Sequence, residues 1–265
     1  MLMSGCALRG VTRVKDLTFD KEHNLQLDVY ASDKISTPKK VMIFVHGGRW
    51  KSGKKDQYKF LGRRFARKDI VFVIVDYRLS KKTDYRGMGM DVAKAVKWVS
   101  ENVASYGGNN KEIFLSGHSA GGHLAALVSV DDRYFDTLKV KNPLKGSILI
   151  DAFGLDMYKF LSNESFTKNP VYYKVFGKDP LRWKDGSPVW HLSKSMPPSL
   201  IFIGGKTFPI IQEDGKEYAG KVRDYYKDTK LITCPKKSHF PMLFQFYNEE
   251  NKAYSQILDF MDQYH

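Results

Sequence analysis

With 265 residues, 42% of them hydrophobic and 14% aromatic, the chain suits one ordinary globular domain with a sizeable core, and it is not composed like a disordered segment. Lysine and arginine outnumber aspartate and glutamate by 43 to 29, a formal charge of +14. The basic residues are scattered and form no basic helix or RNA-binding motif, which argues against a nucleic-acid partner, and no apolar run approaches the roughly 18 residues of a membrane span.

Two cysteines, Cys6 and Cys234, are too few for a disulfide framework or a tetrahedral zinc site. Cys6 closes LMSGC, which resembles the lipobox of bacterial lipoproteins, but only five residues precede it. The expectation as written is a cytoplasmic protein, or an exported lipoprotein if that stretch ends a truncated signal peptide.

The segments VKDLTFD and LQLDVYA alternate as half-buried strands, and KKVMIFVHGG is a continuous apolar strand ending in glycines. QYKFLGRRFARKD has helical spacing, and IVFVIVDYRL is a fully apolar strand. DVAKAVKWVSENVASYG reads as a helix capped by Asp91 and stopped at Gly107. The alternation continues with KEIFLSG, AGGHLAALVSV, GSILIDAFG, SLIFIGG, a helix over IQEDGKEYAGKVRDYY weakened by Gly215 and Gly220, the strand KLITCP and the helix EENKAYSQILDFMDQY. Apolar strands separated by helices predict a mostly parallel sheet covered on both faces, a doubly wound α/β domain over 1–265. Residues 153–198 break the rhythm. They are rich in aromatic, proline and polar residues, and they are expected to form a lid-like excursion before the penultimate strand, over the C-terminal edge of the sheet.

GHSAGG, residues 117–122, lies between a predicted strand and a predicted helix. That is the context of a nucleophile elbow, with Ser119 at a sharp turn and Gly117 and Gly121 permitting close chain approach. HGGRW ends the strand VMIFV, so the amides of Gly47 and Gly48, with that of Ala120, are candidate donors to an oxyanion. His46 is expected to order this loop, and Trp50 either walls the substrate pocket or packs in the core.

VMIFVHGGRW, VDYRL, IFLSGHSAGGHLAAL and KKSHF together resemble the α/β-hydrolase family, in its branch of small HGG-type esterases that includes carboxylesterases, feruloyl-esterase-like enzymes and arylformamidases. The resemblance covers nearly the whole chain. It implies an α/β-hydrolase fold, a serine, acid, histidine order, and acyl transfer with neither metal nor organic cofactor. His239, after the last predicted strand, matches the base of the family, while His191 is expected to pack or line the pocket, and His118 and His123 are expected to be structural.

The acid is less direct. At the family's usual place, after SLIFIGG, stands Thr207, which carries no charge. Some lipases of the fold place the acid one strand earlier, where this chain has Asp151 at the end of GSILIDAFG. Glu213, Asp214, Asp156 and the absence of any acid remain open, Asp156 also suiting a helix cap. The expected function is cleavage of small carboxylic esters. The alternatives are amide or formamide hydrolysis and a catalytically impaired binding protein. The natural ester and the oligomeric state are not legible.

Overall fold

The computed structural model describes residues 6–7, 10–34, 37–163 and 169–264. Met1, Leu2–Gly5 of the LMSGC stretch and the Cys6 side chain lie outside the described residues. The elements in chain order are β1 (Cys6–Ala7), β2 (Val11–Asp20), β3 (Leu25–Ser32), β4 (Lys39–Val45), α1 (Lys59–Ala66), β5 (Val71–Val75), α2 (Tyr85–Asn102), β6 (Gly108–His118), α3 (Ala120–Val130) and α4 (Arg133–Thr137). They continue with β7 (Leu144–Ile150), α5 (Met157–Leu161), α6 (Pro170–Phe176), α7 (Pro180–Asp185), β8 (Ser199–Gly204), α8 (Pro209–Val222), β9 (Leu231–Cys234), α9 (Pro241–Phe244) and α10 (Lys252–Gln263).

Among the described residues the strands form one nine-stranded sheet in the order β1-β2-β3-β5-β4-β6-β7-β8-β9. β1 to β3 are antiparallel, β3 meets β5 antiparallel, and β5 through β9 run parallel. The apolar strands do what their composition requires: their alternate side chains fill two separate cores. Val41, Ile43 and Val45 face one core, with Val96 and Val99 of α2 and Leu124 of α3. Met42 and Phe44 face the other, with Leu61 and Phe65 of α1 and Ile257 and Phe260 of α10. Each such side chain removed from water contributes roughly 1.5–3 kcal/mol, so both layers of helices are held down by the same strands. Among the described residues no helix is long and apolar enough to cross a membrane.

One helix start differs from the sequence reading. Asp91 does not cap α2. Asp84 does, accepting from the Gly87 amide at 3.1 Å. Asp91 lies buried inside the helix, where its carboxylate receives the Arg78 guanidinium at 2.7 Å and the Arg78 amide at 2.9 Å. The two glycines of YRGMGM hide the helical pattern of its first turns, and tertiary contact overrides their poor propensity. Gly107 does end this stretch, in a left-handed conformation at φ 80°.

The excursion after β7 is built from α5, α6 and α7. Its aromatic side chains turn largely inward: Phe160, Tyr172, Phe176 and Trp183 are buried in the same core as α2 and α3.

Candidate active site

The C-terminal ends of β6, β7, β8 and β9 lie side by side because the four strands are parallel neighbours. The loops that leave them carry Ser119, Asp151, Thr207 and His239. Ser119 sits between β6 and α3 with φ 56° and ψ −124°. A non-glycine residue held there costs on the order of 1–3 kcal/mol and needs its surroundings to enforce it. Enforcement is visible. The Ser119 amide donates to the Ile150 carbonyl at 3.2 Å, and the Ser119 carbonyl accepts from the amides of His123 and Phe153. A Cβ on Gly117 would lie 2.2 Å from the Gly121 carbonyl oxygen, and one on Gly121 would lie 2.1 Å from that of Val45, so the tight turn requires both glycines.

His239 links the serine to a carboxylate. Its Nε2 lies 2.9 Å from Ser119 Oγ, and its Nδ1 lies 2.7 Å from Asp151 Oδ2. Asp151 is fully buried at the end of β7. Its Oδ1 accepts from the Gly204 amide at 2.8 Å, and its Oδ2 also accepts from Thr207 Oγ1 at 2.5 Å. A buried carboxylate of this kind is tolerable only with such donors. Nδ1–H donation to Asp151 leaves the Nε2 lone pair free to accept the serine proton, which is the tautomer general-base chemistry needs.

The other candidate acids lie elsewhere. Asp156 caps α5, accepting from the Lys159 amide at 2.9 Å. Glu213 is exposed on α8. Asp214, on the same helix, is buried away from His239, and burial raises its carboxyl to about 7.

On the β4 side, the Gly47 backbone packs against the serine, since a Cβ there would lie 3.3 Å from Ser119 Cβ. Gly48 adopts φ 127°, and a Cβ on it would strike the Ser52 carbonyl oxygen at 1.9 Å. Ala120 opens α3, so its amide is one of the helix N–H groups without an intrahelical acceptor. The Tyr58 hydroxyl lies beside the Gly47 amide. His46 is buried, with Nδ1 2.8 Å from the Gly47 carbonyl, and burial lowers its pKa to about 4.

Trp50 does not wall a pocket. It is 1% exposed, donates from Nε1 to His123 Nδ1 at 3.3 Å, and meets Phe176, Tyr172 and Phe153 edge-on. The large ring is worth more as the keystone between the loop after β4 and the excursion than in solvent. His123 completes that joint by donating from Nε2 to the Gly186 carbonyl at 2.7 Å. His191 bonds the Asp185 carbonyl at 2.8 Å and does not enter the site.

Three neighbours of His239 escaped the sequence reading as parts of the site. Thr207 stood out only as a missing acid. His118 is buried, with its ring 4.6 Å from that of His239 and its Nε2 3.1 Å from the His239 carbonyl oxygen. Burial, and then the neighbouring imidazole, lower its pKa to about 3. Phe208 stands 5.4 Å from the His239 ring, and no sequence signal marks it.

His118, Asp151 and His239 are also close enough to share a cation, as are Asp20, Glu22 and His23. The first set already spends its facing atoms on the hydrogen bonds above. In the second, Asp20 holds the Lys94 ammonium at 2.8 Å and His23 Nε2 faces Arg78 Nη1 at 2.8 Å, so a metal there would have to displace one cation and stand beside another.

Residues 27–217 match the family BD-FAE. A kynurenine formamidase of Danio rerio is 30% identical over 221 residues, 83% of this chain and 70% of that protein. A probable isoprenylcysteine alpha-carbonyl methylesterase of Arabidopsis thaliana is 26% identical over 245 residues, 87% of this chain, and the chain spans only 52% of that relative's length. Among solved structures, esterase B of Lactobacillus rhamnosis superposes with a TM-score of 0.78 at 20% identity, covering 98% of this chain and 88% of that one. That likeness establishes the α/β-hydrolase fold.

Proposed function

The chain belongs to the BD-FAE family, and from that premise we propose that it hydrolyses small carboxylic esters through Ser119, His239 and Asp151. The observation that carries the proposal is the position of the His239 imidazole, 2.9 Å from the hydroxyl of a serine with a strained backbone on one side and 2.7 Å from a buried carboxylate on the other.

In this reading Ser119 Oγ attacks the ester carbonyl while His239 Nε2 takes its proton. Asp151 stabilises the imidazolium that results and keeps the ring in register. The negative charge that develops on the carbonyl oxygen meets the amides of Gly48 and Ala120, with Gly47 alongside, where fixed donors need no reorganisation. The imidazolium protonates the departing alkoxide, leaving an acyl group on Ser119. Water, deprotonated by the same imidazole, then releases the acid.

A second reading has a specific support: the Danio rerio relative is named kynurenine formamidase. A formamide is attacked by the same serine and its amine leaves with the same proton, so the difference rests in the binding surfaces. The experiment is hydrolysis of p-nitrophenyl acetate and butyrate beside N-formylkynurenine by the parent and by Ser119→Ala. The ester reading expects p-nitrophenyl ester turnover that falls about 10³-fold or more in Ser119→Ala. Turnover confined to the formamide favours the second reading, and no turnover with no phosphonate labelling of Ser119 discards both.

A further inference from the structure

Large apolar side chains on this surface are not scattered evenly. Of the seven that are conspicuously exposed among the described residues, Phe208, Phe240, Phe244 and Tyr247 are each more than half exposed, and all four belong to one strip. The strip begins at the candidate base: Phe208 and Phe240 lie 5.4 and 5.6 Å from the His239 ring. Phe244 follows Phe240 by one helical turn, its amide bonded to the Phe240 carbonyl at 3.2 Å. Its ring lies 6.2 Å from that of Tyr247, which stacks on Phe60 of α1 at 4.3 Å.

A contiguous exposed apolar surface of this kind marks a contact that the isolated chain does not satisfy. A small ester at Ser119 is within reach of Phe208 and Phe240, but Phe244 and Tyr247 continue the strip at least one helical turn, about 5 Å, beyond them. The charge around it is predominantly positive. Segments 58–67, 206–209 and 235–252, which carry the strip, hold eight lysines and arginines against Glu249 and Glu250. Glu249 is already paired with Arg64 and with Arg67. Lys59, Lys206 and Lys236 in these segments are exposed.

Rings that enter the interfacial layer, ringed by cations that meet anionic headgroups, are the chemistry of a peripheral membrane contact. We propose that this strip seats the protein on an anionic bilayer surface, which would bring Ser119 and His239 close to esters held in or near that surface. The inference goes beyond the esterase reading, and its test is read without turnover.

The test is co-sedimentation with vesicles of phosphatidylcholine alone and of phosphatidylcholine with one-third phosphatidylglycerol, at low and high salt. It uses the parent, the double variant Phe244→Ser/Tyr247→Ser and the charge variant Lys236→Glu/Lys206→Glu, each first shown by its thermal transition to be folded. The parent is expected to bind the phosphatidylglycerol vesicles and not the neutral ones, and each variant to lose binding about fivefold or more while p-nitrophenyl acetate turnover stays within about twofold. A parent that stays in the supernatant overturns the proposal, whatever its activity. So does parental binding by the double variant, which would reduce the contact to diffuse charge. A shift in KM for soluble esters with vesicle binding unchanged would make the strip a substrate subsite, and a dimer dissolved by the double variant without vesicle binding would make it a self-contact. Either result overturns the membrane assignment.

Discussion

Thr207 Oγ1 donates to Asp151 Oδ2 at 2.5 Å, on the oxygen that also receives His239 Nδ1. The threonine at the family's usual acid position is thus hydrogen-bonded to a carboxylate supplied by the neighbouring strand. β7 and β8 are parallel neighbours, with Ile150 opposite Phe202, so the ends of the two strands open onto the same space. A carboxylate entering from either end can reach one imidazole. When it enters from β7, the vacated β8 side can supply a neutral donor. The Gly204 amide, at the end of β8, adds a second donor, so Thr207 and Asp151 form one unit with His239.

Asp151→Asn is expected to keep the fold and lower kcat for p-nitrophenyl butyrate by about 10⁴-fold, since an amide facing Nδ1 imposes the wrong tautomer. Thr207→Val removes one donor to a charged acceptor, worth about 1.5–3 kcal/mol, and is expected to cost roughly ten- to a hundredfold, with Thr207→Ser near the parent. The ranking in kcat, Thr207→Ser above Thr207→Val above Asp151→Asn, is the measurement. Parental activity in Asp151→Asn removes this carboxylate from the mechanism.

His118 is placed to act through position rather than charge. It is buried and neutral, and its Nε2–H points at the His239 carbonyl oxygen. His118→Phe keeps a ring against His239 and deletes the donor. Expected is a fall in kcat of about tenfold, with the acidic limb of the kcat profile moved by less than about half a pH unit. A larger displacement would mean that His118 acts through charge, and unchanged kcat would mean that the bond does not steer the loop.

Much of the architecture was legible because the parallel strands are buried on both faces and therefore write long apolar runs, while GHSAGG and HGG write backbone requirements that only glycine meets. Asp151 was readable as an oddity, a carboxylate in an apolar strand, but the sequence could not show that two donors and an imidazole would surround it. Thr207 was seen as a loss because a one-dimensional reading registers charge at a position and not hydrogen-bond donors across strands. For Trp50 the sequence alone allows either pocket or core. The choice depended on whether Phe176 and Tyr172, more than a hundred residues away, would close over it. Lys55 is buried between Asp16 and Asp28 at 2.6 and 2.9 Å, partners that no local pattern in the sequence announces.

Acid should destabilise the fold from a predictable pH. Burial lowers His46 to about 4, His118 to about 3 and His123 to about 4, against an ordinary 6.5. Depressed values mean that the neutral rings stabilise the fold fully above about pH 6.5, and that this contribution is lost as pH falls toward 4. His123 shows why: Nε2 donates to Gly186 while Nδ1 accepts from Trp50, so a second ring proton has no place to go. Urea unfolding between pH 6 and 4.5 should show uptake of up to three protons, a loss approaching about 4 kcal/mol per pH unit. His123→Gln should lower that slope by about one proton, and a slope unchanged in the variant would assign the acid sensitivity to other groups.

Asp214 carries the opposite dependence. Its carboxyl is 3% exposed on α8, and burial raises it from 3.8 to about 7, with Asp156 and Glu217 adding like charge and Lys159 opposing them. Its Oδ1 is buried without a hydrogen-bond partner. Because the folded value lies above the unfolded one, the fold is favoured by the protonated form. This stabilisation is complete below about pH 4 and is lost as pH rises through about 7. Near neutrality, then, the chain holds a partly ionised, buried carboxylate whose support is the Asp156 backbone and the Lys159 charge, and burying such a charge is costly. Asp214→Asn has nearly the same shape and no charge. It is expected to exceed the parent in thermal midpoint by several degrees at pH 8 and by a smaller margin at pH 5, and to leave p-nitrophenyl butyrate turnover within a few-fold at both. Equal midpoints at pH 8 would mean that the carboxyl finds solvent or a cation once charged, and a large loss of turnover would return Asp214 to the list of candidate acids.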